Sequence, residues 1–447
     1  MPRREPTLSF RMPEVERKHT VLHIPGSHTL FVGPSACMRR HALGQYKHGN
    51  IEDVSFLRVT QADVVSGTYE ELIVEAAGEL VATLSPAPSI LFVDVFCIDD
   101  FLGTDDEALV RRLEGLHPGT RFVFNRIHPV ATNEKVTMGD AKQVSLYSFL
   151  DPVPPEGHDN GVNMLGNFVP LNPESEIFEL FARWGLGPVR QLFACETYAE
   201  YQDMAKSRVA VVARFSGDKT AREMEGRLGI PYVRFPACYD LDRIEGHYRV
   251  LARTLGEPEP DFSPWRGPAE EAVRRARELL GDTPIVVDNE GTLLPYMMAR
   301  SLLGYGFNVT HLFHSHHLFD PDVPDREAIK AEHPELFLAT GDDARLHVAD
   351  VSGHFGEDGA WRPGSIGPDR EPIAIGTVGA RIVGARRVVD VWHDEGLTGF
   401  HGVRLLMEKL CEQYRLMEAG TERASSVGAA EERETHGGRT GEERRDG

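Results

Sequence analysis

One pattern constrains the fold of this chain more than any other. Short runs of β-branched and other apolar residues alternate repeatedly with amphipathic segments, as in "SILFVDVFC" (89–97) followed by "DDEALVRRLEGL" (105–116). Further strands are expected at "RFVFNRI" (121–127), "VNMLGNFV" (162–169), "RVAVVARF" (208–215), "PIVVDN" (284–289) and "FNVTHLF" (307–313). Helices are expected at 175–185, 198–207, 219–229, 241–256 and 269–281, several of them ending in the glycine that a left-handed C-terminal cap prefers. Alternation of this kind implies parallel α/β units. Two Pro-rich stretches, "LDPVPPEGHDNG" (150–161) and "GEPEPDFSPWRGP" (256–268), break both periodicities. They divide the chain into three expected subdomains, 1–155, 156–262 and 263–419, followed by a small, charged tail (420–447) expected to be disordered.

Charge and composition exclude several classes of function. No stretch reaches the roughly 18 uncharged apolar residues of a membrane helix, and the opening "MPRREPTLSFRMPEVERKH" holds no apolar segment of the signal-peptide kind, so a cytoplasmic chain is expected. With 69 acidic against 48 basic residues the net charge is −21, which disfavours a phosphate backbone as partner and suits small molecules or basic proteins. Five cysteines, an odd number without close pairs, are read as thiols in a reducing compartment.

Two of those thiols occupy positions with chemical potential. In "TLFVGPSACMRRHALGQYKHG" (29–49), Cys37 follows a strand and a tight turn and should open a helix, where backbone N–H groups favour thiolate. Cys97 closes the next long apolar run, ahead of Thr104 and Asp105, which can cap the following helix. In open α/β sheets ligands gather at the carboxyl ends of strands, so both thiols lie on the functional edge. Two thiolates make half of an iron–sulfur site; the alternative is that each is a small buried hydrophobe.

Other groups admit two readings each. "HLFHSHHLFDPD" places His311, His314, His316 and His317 near Asp320 and Asp322, as polar loop histidines or as a metal or proton-donor site. "WHDEG" offers His393, Asp394 and Glu395 as a proton relay or as a capping loop. "GTVGARIVG" (376–384) is glycine-rich without the dinucleotide spacing. Cys195, Cys238 and Cys411 read as structural.

"GPSAC" (33–37) resembles the Gly-Pro-x-x-Cys element of nitrogenase component 1 subunits, and "CIDDFLGTDDEALV" (97–110) resembles their Cys-x-x-x-x-Ile-Gly-Asp-Asp element, the two cysteines being 60 residues apart (97 − 37), close to the separation in those subunits. "VNMLGNF", "GIPYVRF" and "GFHGVRLLMEKL" are similar to later family segments, in order, from about residue 20 to 418. The chain is therefore identified as resembling the nitrogenase component 1 family, which includes the catalytic subunits of dark-operative protochlorophyllide reductase and chlorophyllide reductase. The resemblance implies an α/β fold of three Rossmann-like subdomains with parallel sheets around a central cavity. It also implies an iron–sulfur cluster at the interface of paired subunits and electrons from an ATP-hydrolysing iron–sulfur reductase.

Departures from the family pattern narrow this. Residues 1–36 contain no cysteine, so the first thiolate of an eight-iron cluster is missing and a [4Fe–4S] cluster shared between two chains, each giving Cys37 and Cys97, is expected. Gly33, Ser35, Cys37, Cys97 and Gly103 are the candidate cofactor-binding positions, with Cys37 and Cys97 the metal ligands. "AVVARFSGDKTAREMEGRLGIP" has no cysteine where nitrogenase holds its catalytic cofactor, and His393 is displaced from the family's late histidine, so dinitrogen is not the expected substrate. The expected role is a reductase subunit that passes low-potential electrons to an unsaturated small molecule, with His393, Glu395 and His314 as candidate catalytic groups. Its partner would be a second component 1-like subunit or a second copy of itself. The alternatives are a non-catalytic scaffold or partner subunit for metallocofactor assembly, and an α/β sugar transferase in which both thiols are incidental.

Overall fold

The computed structural model describes residues 24–48, 51–126, 138–167, 170–315, 318–341, 353–355, 361–363, 371–389, 391–394 and 396–416. Two compact units divide the chain: one runs through Ala237 and takes up Glu245–Pro260, and the other comprises Cys238–Ile244 and the chain from Asp261 onward.

The first unit contains two parallel sheets. Strand β1 (Ser27–Gly33) leads into helix α1 (Ser35–His48), then β2 (Val54–Arg58), α2 (Gln61–Ser66), α3 (Tyr69–Thr83), β3 (Ile90–Val95), α4 (Cys97–Leu102), α5 (Asp106–Leu116) and β4 (Arg121–Arg126). These strands lie in the order β2-β1-β3-β4. The central pair β1 and β3 is buried along its whole length, whereas the edges β2 and β4 are partly exposed. That difference accounts for the unbroken apolar character of "TLFV" and "ILFV", because a central parallel strand is covered on both faces. Helix α6 (Met138–Tyr147) follows, and a second sheet then forms from β5 (Val162–Leu165), α7 (Glu176–Arg183), β6 (Val189–Arg190), α8 (Tyr198–Asp203), β7 (Val209–Val212), α9 (Asp218–Leu228) and β8 (Tyr232–Arg234) in the order β6-β5-β7-β8. One apolar core joins the two, with Ile90 and Phe92 of the first sheet packed in the same cluster as Leu146, Tyr147, Leu165, Val212 and Met224.

Helix α10 (Leu241–Leu255) starts among residues of the second unit and α11 (Ser263–Leu280) belongs to it. Residues 263–268 of the Pro-rich stretch thus belong to α11. Pro264 sits in the first turn of α11, where a missing N–H costs nothing, and Trp265 N and Arg266 N both bond to Phe262 O at 3.0 and 2.9 Å. The third sheet follows with β9 (Ile285–Asp288), α12 (Pro295–Gly304), β10 (Val309–His314), α13 (Val323–Glu332) and β11 (Phe337–Thr340). After a short antiparallel ladder of β12 (Gly353–Phe355) and β13 (Trp361–Pro363) come β14 (Ile373–Ile375), α14 (Thr377–Val383), β15 (Arg387–Val389) and a closing helix over 399–416. Its parallel order is β11-β10-β9-β14-β15, with Val286, Phe313, Phe337 and Ala374 in its core. The fold is α/β, with three parallel sheets and their helices, as the alternation predicts. The expected tail, 420–447, lies outside the described residues.

Candidate metal centre

In the first sheet the chain runs from β1 outward to β2, then crosses back to place β3 on the other side of β1. The crevice at the carboxyl ends of β1 and β3 is the topological switch point, where open α/β sheets bind ligands. Val32 stands opposite Val95 in this pair. β1 continues through Gly33 and Pro34 into α1, whose first turn carries Cys37; β3 continues through Phe96 into α4, whose first residue is Cys97. Two thiols 60 residues apart in sequence thereby meet at one edge. They are near enough that the charge of Cys97 helps to raise the pKa of Cys37, behind burial as the larger cause. Both thiols are half-buried and unbridged.

This reverses one expectation. The first turn of a helix favours thiolate, but burial, and after it the neighbouring Cys97, push the Cys37 thiol upward, toward its protonated form. A bound metal would displace that proton.

The floor under Cys37 is apolar and tightly packed. Phe31, Met38, Val54 and Phe96 form a buried cluster with Cys37 and Phe56 against it. Phe31 stacks on Phe56 with centroids 5.3 Å apart, and the His41 ring lies 5.0 Å from Phe31 and 5.4 Å, edge-on, from Phe96. Gly33 is required by this packing, since a Cβ there would stand 2.6 Å from Phe96 Cδ2. Ser35 is the exposed first residue of α1. Gly103 ends α4 in the left-handed conformation (φ 67°), its N–H bonding to Asp99 O and Asp100 O at 3.1 and 3.2 Å. Asp105 caps α5 by accepting from Ala108 N at 2.9 Å, while Thr104 Oγ1 donates to Asp99 O instead.

Beside α4 lies a charged cluster that sequence reasoning missed. Asp99 is fully buried and accepts from Tyr69 Oη at 3.1 Å; Arg126 Nε stands 3.2 Å from Asp100 and 3.6 Å from Asp99, and its Nη2 is 2.8 Å from Asp106. Burial, then the charge of Asp99, pushes Asp106 up to about 6. The one available signal was an arginine closing the apolar run "RFVFNR" opposite a run of aspartates.

In the second unit the remaining candidates collect at the carboxyl edge of the third sheet. His314 is the last residue of β10; its Nδ1 lies 2.8 Å from Ser315 O and its ring 5.5 Å from that of Tyr296. The turn after β15 doubles back over β9, the strand beside β10: His393 N donates to Glu290 O at 2.7 Å and Asp394 N to Gly291 O at 3.0 Å. His393 and Asp394 both take positive φ (48° and 64°), and the His393 ring stacks on Trp392 at 4.4 Å. Asp394 is buried and accepts from Tyr239 Oη (2.6 Å) and Leu293 N (2.9 Å). Glu395, His316 and His317 lie outside the described residues. His311 is a core residue rather than a loop histidine, fully buried 5.2 Å from the Phe337 ring. Asp322 serves as a helix cap, taking Tyr296 N and Met297 N at 3.0 and 2.7 Å.

Among the described residues no group of three or more His, Cys, Asp or Glu is placed to hold a metal ion. Cys37 and Cys97 therefore fit the iron–sulfur centre expected at this edge only as half of its donor set, since thiolates are the ordinary ligands of such clusters and a cubane takes four.

No curated protein sequence matches the chain. The family described as "Nitrogenase component 1 type Oxidoreductase" matches residues 18–348, more than half of it. Among solved structures, nitrogenase Cp1 at pH 6.5 is similar with a TM-score of 0.66 at 14% identity, covering 88% of this chain and 89% of that one. Nitrogenase Cp1 at pH 5 gives a TM-score of 0.58 at 15% identity, covering 88% and 85%. At such identities the likeness speaks for the fold, whereas the family match spans both candidate cysteines and the strands that position them; the chain belongs to the nitrogenase component 1 type oxidoreductases.

Proposed function

We propose that this chain is a subunit of a nitrogenase-like reductase complex in which Cys37 and Cys97 hold one half of a [4Fe–4S] cluster, the other half coming from a second component 1-like chain or a second copy of this one. The observation that carries the reading is the meeting of the two thiols at the β1/β3 switch point. When bound, the cluster supplies one-electron transfer at low potential, fed by an ATP-dependent iron–sulfur reductase and passed to an unsaturated small molecule other than dinitrogen. The protein holds the two sulfurs at a fixed spacing, keeps water from one side with the Phe31–Phe96 floor, and surrenders their protons on loading. Phe101 and Leu102 of α4, the helix that opens at Cys97, are 81% and 39% exposed, as suits a face that a partner subunit covers. His314 and His393, at the edge of the third sheet, are assigned as proton donors, imidazole being suited to transfer near neutral pH, and Glu395 is a third candidate from the sequence alone. No described helix is long and apolar enough to cross a membrane.

Anaerobic purification, iron and sulfide analysis and EPR of the dithionite-reduced protein test this reading in the wild type and in Cys37→Ala and Cys97→Ala. About two irons per chain, lost in both variants, is the expected result for a cubane divided between two chains. A wild-type chain that stays free of iron after reconstitution, alone and with a co-expressed component 1-like partner, would overturn it.

A further inference from the structure

We propose that His41 is a positioning residue for the cluster at Cys37 and Cys97, donating a ring N–H to sulfur and thereby setting the reduction potential; this rests on the cluster reading above. His41 follows Cys37 by four residues on α1, so the two side chains share one face with Cβ atoms about 5–6 Å apart. Side chains on a helix lean toward its N-terminus, which carries the His41 ring over the turn that bears Cys37. Two aromatic contacts hold the ring there. It lies 5.0 Å from Phe31 of β1 and 5.4 Å from Phe96, the residue immediately before Cys97. The imidazole is therefore wedged between the end of β1 and the entry to α4, the two segments that deliver the two sulfurs.

The chemistry of the floor singles this ring out. Phe31, Met38, Val54, Phe56 and Phe96 have no side-chain N–H or O–H to offer, so among these neighbours His41 alone can donate to sulfur. The apolar cluster packed against Cys37 offers its sulfur no compensating dipole, so negative charge there carries a desolvation penalty. A donor aimed at that sulfur offsets the penalty most in the reduced cluster, which carries the extra electron, and so raises its potential. His41 acts as a donor rather than a third ligand, because no three-residue metal group occurs among the described residues.

His41→Phe keeps an aromatic ring in the floor and removes the donor; His41→Gln restores an N–H without the imidazole. Iron and sulfide content and EPR-monitored potentiometric titration of the reconstituted protein are the readouts. The expected result is wild-type iron content in His41→Phe with the reduced-to-oxidised ratio at the wild-type midpoint falling about tenfold, which is about 59 mV for a one-electron couple, and partial recovery in His41→Gln. Loss of iron from His41→Phe alone, with His41→Gln loaded, also supports a donor. Full iron content with an unmoved midpoint in His41→Phe overturns the inference and leaves the cluster reading intact, as does loss of iron from both variants, which marks a purely structural ring. A wild type without iron removes the cluster reading itself and this inference with it.

Discussion

Gly33→Ala is a test of how the two thiols are brought together. The added methyl would stand 2.6 Å from Phe96 Cδ2, 3.3 Å from its Cγ and 3.4 Å from its Cβ, whereas carbon atoms rest at about 3.5–4.0 Å. The Phe96 ring must therefore retreat by about 1 Å. It has little room, being 6% exposed and set against His41. Gly33 is not among the positive-φ glycines, so alanine fits its backbone and should itself stabilise by about 0.4–1 kcal/mol through the unfolded chain. Overpacking a filled core costs about 1–3 kcal/mol. Overpacking wins, and the expected net loss is about 1 kcal/mol, read as a lower urea midpoint at unchanged slope. Because Phe96 is the residue before Cys97, its retreat also moves one sulfur, and bridging of Cys37 and Cys97 by a short bis-alkylating reagent should fall. Shrinking the ring in Gly33→Ala/Phe96→Leu should restore part of both, a coupling that a double-mutant cycle measures. A Gly33→Ala protein as stable as wild type, with undiminished bridging, would refute this account of the site.

Three further outcomes follow from the geometry. Gly103→Ala meets no neighbour within 4 Å, so it should cost only the left-handed penalty of about 1–2 kcal/mol and leave thiol bridging and iron content unchanged; loss of iron would instead make Gly103 part of the site. Asp325 is buried under Arg243 (2.6 and 2.7 Å) and Arg300 (3.0 Å), and Asp325→Ala should cost about 3–5 kcal/mol in urea unfolding by leaving two guanidinium groups facing each other. Burial raises this carboxyl but the two guanidiniums outweigh it and hold it below the usual range, so its contribution stands above about pH 4 and is lost on acidification; Asp325→Asn should flatten that acid loss. Asp288 behaves oppositely: burial pushes it up to about 7 against three backbone N–H bonds, so its contribution is full below the unfolded value of about 3.9 and disappears as pH rises through 7. Wild type should therefore lose more stability than Asp288→Asn between pH 5 and pH 8, and equal losses in urea midpoints would refute it.

Local pattern determined the class of fold and the position of the thiols along the chain. Runs such as "ILFV" and "VAVV" are apolar on both faces, which only a covered parallel strand tolerates, and the amphipathic segments between them can only be crossovers. From this, Cys37 and Cys97 were legible as residues at strand ends, and "GPSAC" with "CIDDFLGTDD" carried the family. What the chain does with those positions depended on long-range order. Nothing local states that β3 lies beside β1 rather than outside β2, and that one choice of strand order turns two isolated cysteines into a pair. The same holds for protonation: the helix start argued for thiolate, whereas burial, and after it the approach of Cys97, push the Cys37 thiol upward. Asp322, beyond a histidine run, stood open between a polar loop and a metal site until the fold placed the N-terminus of α12 against it, and Arg126 gained its role from aspartates that lie 20 to 27 residues earlier (126 − 106 and 126 − 99). Periodicity is set by neighbours three or four residues away, whereas desolvation and charge pairing depend on which distant segments exclude water from a given atom, and that is fixed only when the sheets assemble.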